Sequence, residues 1–174
     1  MNRMIPEKLL ADERMKTMVD INILYAKSLL EMGIDTQTVI EANAKTWAKI
    51  GRRTGEALKP MFTDKPGLFA TDQLGAMTKE MYGMVVQAES VPQGRRFRIT
   101  HCPWRKRVSE LPIENYHRFC RAGHRAFLQA LSETIAPNLV VEMGENPSGE
   151  VTDCCVTVEL FPETKVAKDW RSEV

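Results

Sequence analysis

Three separated cysteines and one histidine are the residues of this sequence best suited to chemistry. Cys102 follows an alternating run, Cys120 lies within a helical pattern with His124 one turn later, and Cys154 begins the last apolar run. A thiolate is a strong nucleophile, and an imidazole within hydrogen-bond reach lowers a thiol pKa and carries its proton. The same donors bind zinc or iron. The residue types therefore predict either a nucleophilic site or a metal site.

Periodicity predicts that these side chains face one another. At about 100° per residue, Cys120 lies in the middle of the apolar face of its helix, and His124 lies about 40° away. Alternation places Cys154 on the face of the last strand that a helix would cover. Cys102 stands at a strand end, because Pro103 stops the hydrogen-bond ladder there. We therefore expect three distant thiols to converge.

Each of these residues also has a purely structural interpretation. Free cysteine is among the most buried residue types, so packing in the core is an alternative for Cys102, Cys120 and Cys154 alike. The basic residues near Cys102 are of a kind that commonly forms a solvated face, although Arg98 and Arg105 could also hold a carboxylate or a phosphate. The sequence alone leaves these alternatives open.

The composition limits the classes of partner. The chain has 174 residues, 43% of them hydrophobic, and its 24 basic and 23 acidic residues give a formal net charge of +1. Such a charge gives no general field for collecting nucleic acid or anionic membrane. No window reaches the roughly 18 apolar residues of a membrane span, and the first residues lack the apolar core of a signal peptide. We therefore expect a cytoplasmic protein with reduced cysteines, a small-molecule substrate or ligand, and no nucleic-acid or membrane partner.

Two long amphipathic helices are predicted in the first third of the chain. The first ends at Gly33, and the second begins at Asp35 or Thr36, either of which could cap it. A turn-rich stretch follows the second helix. We predict an N-terminal helical hairpin at 1–62 and an α+β part at 63–174 that carries the cysteine site, the two forming one compact unit. The long apolar helix faces permit a homodimer.

The second half of the chain alternates between helical and strand patterns. The predicted elements are a helix at 71–81, strands at 83–91 and from 96 to 101, a helix at 115–136, and strands at 138–143 and 151–160. These elements predict an α+β fold, with N-terminal helices followed by a small antiparallel sheet covered by one long helix.

Short motifs surround each cysteine. They are Ile99-Thr100-His101-Cys102-Pro103-Trp104, Phe119-Cys120, Pro137-Asn138-Leu139 and the late Cys154. With these motifs the chain, from about Met18 to Leu160, resembles the L-2-amino-thiazoline-4-carboxylic acid hydrolase family. That family has a Cys-Pro after a strand, a cysteine within a helix start and a late cysteine on the last strand. The layout is similar, more distantly, to the 4-vinyl reductase type of small-molecule-binding domain.

By position, the three cysteines of the hydrolase family fall on Cys102, Cys120 and Cys154. The resemblance implies that a cyclic amidine is opened by adding water at the carbon between its nitrogen and sulfur, with Cys102 or Cys120 as nucleophile and His124 as base. An alternative is a zinc or iron site, formed by the three cysteines with or without His124, that activates the water. The family usually has an acidic residue at the position of His124.

The substrate of such a hydrolase is a small molecule with a carboxylate. Arg98, Trp104 and Arg105 are the candidates for binding it. The Gly-Asp pair usual before the last cysteine of the family is matched only by Gly149-Glu150, one place out of register. The second resemblance implies a sensor or accessory protein whose thiols bind a small molecule or a metal without turnover. A hydrolase and a binding protein are therefore the two functions that the sequence predicts.

Overall fold

The computed structural model describes residues 7–62, 72–73, 75–76, 79–80, 82–92, 94–110, 116–136, 139–144 and 154–160. Its regular elements are α1 (Glu7–Glu31), α2 (Thr36–Leu58), a short 3-10 helix (Lys59–Met61), β1 (Val85–Val91), β2 (Gly94–His101), α3 (Pro103–Glu110), α4 (Tyr116–Ile135), β3 (Leu139–Gly144) and β4 (Cys154–Leu160). The residues described between 72 and 80 are helical as well. They lie within the third helix that the sequence predicts.

The turn between α1 and α2 lies where the sequence predicts it. Gly33 has a φ of +86°, and the N–H of Ile34 donates to the carbonyl of Leu29 at 3.1 Å, which closes the end of α1. Asp35 caps α2, because its Oδ1 accepts from the backbone N–H of Thr38 at 2.9 Å. The two caps leave a short connection that fixes the direction of α2 relative to α1.

The four strands form one antiparallel sheet in the order β1-β2-β4-β3. Alternation gives β2 a buried face with Phe97 and Ile99 and an exposed face with Arg98. Helix α4 lies against the sheet, and Arg121 Nη2 donates to the carbonyl of Met143 at 2.6 Å where α4 meets β3. The predicted α+β fold, with N-terminal helices and a small antiparallel sheet covered by one long helix, is confirmed.

Helices α2 and α4 pack closely because glycines stand at their contact. A Cβ added at Gly51 would lie 2.3 Å from the carbonyl oxygen of Phe127, and one added at Gly55 would lie 2.6 Å from the Cβ of Thr134. Both distances are shorter than any van der Waals contact, so no larger side chain fits at either position without movement. The contacts advance in the same direction along both helices, so α2 and α4 run parallel.

One hydrophobic core joins the N-terminal helices to the rest of the chain. Ile23 of α1 and Val39 of α2 belong to the same cluster of buried residues as Phe97 of β2 and Phe127 of α4. The core is therefore continuous across residue 62, where the sequence predicts a boundary.

The apolar residues of α1 are divided between two sides of the helix. Val19, Ile23 and Ala26 are buried in the core. Other large apolar residues are exposed and form what we call the α1 apolar stripe: Ile21, Leu24, Tyr25 and Met32. The sequence indicated a single apolar face, but the mixed three- and four-residue steps distribute these residues around the helix. None of the described helices is both long and apolar enough to cross a membrane.

Helix α3 is the one described helix without a counterpart in the sequence prediction. Strand β2 ends at His101, as expected before Pro103, but the same proline occupies the first position of α3, where its missing N–H is not needed. Arg107 of α3 forms a two-pronged ion pair with Asp20 of α1, with Nη2 3.0 Å from Oδ2. Helix α3 thus ties α1 to the end of β2.

Candidate functional site

A cavity opens where the four helices meet the buried face of β2. The volume open to the centre of a water-sized molecule is about 50 Å³, which is small beside the volumes usual for ligand pockets. Cys102, Trp104, Cys120 and His124 all line it. The structure thus brings together residues from the end of β2, from α3 and from α4.

Cys102 occupies the position before the first residue of α3. Its Sγ accepts hydrogen bonds from the backbone N–H groups of Trp104 and Arg105, as an N-cap side chain does. Burial raises the pKa of the Cys102 thiol, and the two N–H groups and the charge of Arg105 oppose this effect only in part. The resting thiol is therefore protonated at neutral pH, and it needs a base to become a nucleophile.

His124 provides a neutral imidazole in the wall of the same cavity. Burial lowers its pKa to about 4, so the ring carries no charge at neutral pH. Within the described part of the chain the ring has no hydrogen-bond partner, and His124 lines the cavity. Its unprotonated nitrogen can accept a hydrogen bond, and it accepts a proton only at the cost that its lowered pKa sets. Cys120 lies one turn earlier on α4, is half-buried, and forms no disulfide.

Four aromatic side chains surround the cavity and form what we call the aromatic box: Trp47, Tyr82, Trp104 and Phe127. The ring centroid of Trp47 lies 6.3 Å from that of Trp104 and 5.9 Å from that of Phe127. Tyr82 lies 5.7 Å from each of the same two rings. All four contacts are edge-to-face, and burial raises the pKa of Tyr82 to about 12, so its phenol stays neutral. The four rings therefore pack against one another and give the cavity an aromatic, uncharged wall.

Two asparagine amides link the helices at the cavity. Asn43 Nδ2 donates to the carbonyl of Phe119 at 3.0 Å, and Asn22 Nδ2 donates to Asn43 Oδ1 at 3.2 Å. Asn43 reaches α4 because Gly123 stands opposite it: a Cβ at Gly123 would lie 2.5 Å from Asn43 Nδ2. Trp47 uses the same gap, with its Cδ1 2.7 Å from that point. Both asparagines line the cavity.

The predicted arginines lie apart from the cavity lining. Arg98 is on the exposed face of β2, opposite to Ile99, so the structure does not bring it to the thiols. Arg105 is half-buried beside Cys102 and donates from Nη2 to the carbonyl of Thr100 at 3.4 Å. Of the three candidates for substrate binding, Trp104 alone is among the described residues that line the cavity.

The position of Cys154 is known from the backbone register. It pairs with Ile99 of β2, and directly paired residues of antiparallel strands share a face of the sheet. Ile99 lines the cavity. Position 154 therefore lies on the same face of the sheet as the cavity, which is the face that alternation along β4 predicted. The side chain of Cys154 and the Gly149-Glu150 pair lie outside the described residues.

A metal site is not formed by the described residues alone. Among them, no three His, Cys, Asp or Glu side chains lie close enough together to hold a metal ion. Cys102, Cys120 and His124 are included in that statement, so a zinc or iron site would need a further ligand such as Cys154, whose side chain lies outside the described residues. The metal hypothesis stays a prediction.

The residues that give the cavity its shape were not predicted from the sequence. Asn22 and Asn43 are polar residues on the buried sides of α1 and α2, and an amide at such a position needs a hydrogen-bond partner. A polar residue on the buried side of a helix could therefore have indicated these two positions. The sequence does not distinguish Trp47, Tyr82 and Phe127 from other aromatic residues, since an aromatic residue on an apolar face does not reveal which rings it will meet.

No family model matches the chain, and a comparison with curated proteins finds no match. The resemblances given by the cysteine motifs therefore rest on those short motifs, and the function is argued from the cavity itself.

Proposed function

We propose that the protein is a hydrolase that opens a cyclic amidine, or a related small heterocycle, in this cavity. The observation that carries the proposal is that a thiol at a helix N-terminus, Cys102, a second thiol, Cys120, and a neutral imidazole, His124, line one cavity. A nucleophile, a proton carrier and a pocket for a flat ring are the parts that such a reaction needs.

In the proposed reaction, His124 accepts the proton of Cys102 as Sγ bonds to the amidine carbon. The ring carbon–nitrogen bond then breaks, and the leaving nitrogen takes the proton from the imidazole. Water adds to the same carbon and the thiol of Cys102 leaves with a proton, so one water is consumed for each ring opened. The N–H groups of Trp104 and Arg105, which donate to Sγ, stabilise the thiolate as it forms.

The aromatic box supports this class of substrate. A protonated amidine is flat and cationic, and it gains from the π faces of Trp47, Tyr82, Trp104 and Phe127 without a carboxylate partner. The chemistry also needs reduced thiols, which agrees with the expected cytoplasmic location.

A second candidate function is small-molecule binding without turnover, as in a sensor similar to the 4-vinyl reductase type. Two observations favour it: burial raises the pKa of Cys102, and Arg98 lies outside the cavity, where it cannot hold a substrate carboxylate. In the metal-binding form of this candidate, anaerobically purified protein contains zinc or iron, and Cys102→Ser, Cys120→Ser and Cys154→Ser each lose it.

The test is turnover of 2-amino-2-thiazoline and of its 4-carboxylate by the purified protein, with ring opening followed by mass spectrometry. We expect Cys102→Ser and His124→Gln each to lower kcat by about 100-fold or more, because each removes a group that acts in the chemical step. Cys120→Ser is the matched control, and it keeps most of the activity. Loss of activity in Cys120→Ser alone would instead assign the nucleophile to Cys120.

Binding of both probes without ring opening by the native protein would reject the hydrolase and favour the binding protein. Full activity in both the Cys102→Ser and Cys120→Ser variants would reject a thiol nucleophile.

A further inference from the structure

We infer that Asn22 selects the ligand of the cavity, by offering its Oδ1 as an acceptor to an N–H group of a small, flat heterocycle. The inference deepens the proposed function and rests on it, since it assigns the recognition of the ligand at the same site.

The carbonyl of Phe119 fixes the orientation of both amides. A carbonyl oxygen only accepts, so the atom of Asn43 that lies 3.0 Å from it is Nδ2. Oδ1 of Asn43 then faces Asn22, and an oxygen there requires a donor, which is Nδ2 of Asn22 at 3.2 Å. The remaining terminal atom of Asn22 is therefore Oδ1. An amide that could otherwise flip is held in one orientation by a relay through three helices.

Oδ1 of Asn22 is left available by this relay. Among the described residues, none donates a hydrogen bond to it, and Asn22 is half-buried in the cavity wall. Oδ1 of Asn22 keeps some solvent-accessible surface, and an acceptor that a ligand cuts off from water is costly to leave without a donor. A ligand N–H that reaches Asn22 satisfies it, whereas a ligand with a methyl group at that place leaves it unsatisfied.

The charges around the cavity restrict the ligand further. The described residues that line it include no Asp, Glu, Lys or Arg, and the imidazole of His124 is neutral. An anionic group placed inside would have no side chain of opposite charge in the described lining, and only the N–H groups that begin α3 and the nearby charge of Arg105 would oppose the cost of burying it. A neutral or cationic ring is accommodated, because the aromatic box presents π faces rather than charges. The ligand class is thus a flat amino-heterocycle or amidine whose N–H points to Asn22.

The test compares two probes of nearly the same shape, 2-amino-2-thiazoline and 2-methyl-2-thiazoline. Binding is followed by the fluorescence of Trp47 and Trp104, in a Trp170→Phe background that removes the third tryptophan. We expect the amino probe to bind more tightly than the methyl probe, with about tenfold of the preference due to one hydrogen bond to the acceptor of Asn22. Asn22→Leu, which keeps the volume and removes the acceptor, lowers the preference by about tenfold.

Two further variants make the result unambiguous. Asn22→Ala removes the acceptor without risk of overpacking, and it carries the test if Asn22→Leu does not fold. Thr17→Val, on the exposed side of α1, is the matched control and keeps the preference. An amino preference of unchanged size in the Asn22 variants overturns the inference, as does the absence of any preference, or of any binding, in the parent protein.

The inference and the proposed function fail in different ways. An amino preference that depends on Asn22, without turnover, supports the inference and rejects the hydrolase. Turnover with a preference that is independent of Asn22 supports the hydrolase and rejects the inference.

Discussion

At the scale of single residues, His124 links the site to the stability of the protein. Its pKa is about 4 in the folded protein, against an ordinary value of 6.5 in the unfolded chain. Between these pH values the unfolded chain binds the extra proton, so the free energy of unfolding falls as the pH falls. We predict a loss of up to ~3 kcal/mol between pH 6.5 and pH 4, an upper value because the ring keeps some surface at the cavity. Urea unfolding at a series of pH values measures it.

The control for this prediction is His124→Gln, which does not titrate and therefore loses most of the pH dependence in this range. His101→Gln and His117→Gln change exposed residues and keep it. The same pH dependence in His124→Gln as in the native protein would contradict the assignment.

The candidate site residues were predictable from the sequence only where their chemistry is distinctive. Cys102, Cys120 and His124 stand out by type, and helical spacing places the last two on one side of α4. Arg98 stood out for the same reason, yet alternation along β2 directs it to solvent. The acceptor of Asn22 could not be predicted, because its role depends on a partner that is 21 residues away and on a carbonyl of a third helix.

At the scale of elements, the parallel contact of α2 with α4 is the packing most sensitive to change. We predict that Gly51→Ala lowers the free energy of unfolding by about 1–3 kcal/mol, because the new Cβ would lie 2.3 Å from the carbonyl oxygen of Phe127. In an exposed helix the same substitution would be stabilising. Thermal or chemical unfolding distinguishes the two signs.

Arg52→Ala is the matched control for Gly51→Ala. It changes the neighbouring, exposed residue of α2 and is expected to alter stability by less than about 0.5 kcal/mol. A stabilised Gly51→Ala variant would mean that the two helices are farther apart than described.

The elements themselves were largely predictable, since apolar periodicity, Gly33 and Asp35 are local signals. Helix α3 was not, because its sequence is mostly charged and Pro103 was interpreted only as the end of a strand. The same proline can begin a helix or end the hydrogen-bond ladder of a strand, depending on its surroundings. What decides between them here is the docking of α3 on α1 through Arg107 and Asp20, which no local pattern contains.

At the scale of the whole molecule, α1 provides a direct measure of how burial stabilises the fold. Ile23 is 0% exposed in the core, and Ile21, two residues earlier, is 65% exposed in the α1 apolar stripe. We predict that Ile23→Ala lowers the free energy of unfolding by about 2–5 kcal/mol. The matched Ile21→Ala changes it by less than about 0.5 kcal/mol, as measured by chemical unfolding.

The same pair of variants tests the homodimer that the apolar helix faces permit. If two copies bury the stripe against each other, Ile21→Ala destabilises the protein by an amount that depends on protein concentration. An Ile21→Ala effect that is small at every concentration would exclude the stripe from a dimer interface.

The α+β fold followed from patterns along the chain, whereas the cavity did not. Its walls are formed by side chains from α1, α2, α3, α4, β2 and the segment around Tyr82. Each side chain is ordinary within its own element, and the space between them exists only because the elements meet in one arrangement. Periodicity predicts which side of an element is buried, and it contains no information about gaps in the packing.

Because its walls come from so many elements, the cavity exists only when the whole core is folded. Its lining extends from position 22 to position 127, so no partly folded chain contains a complete copy of it. A molecule that binds there stabilises the native state. At a ligand concentration of about 100 times its Kd, the free energy of unfolding rises by ~2.7 kcal/mol. A compound screen that reads only the melting temperature can therefore identify the natural ligand, with no assumption about the reaction.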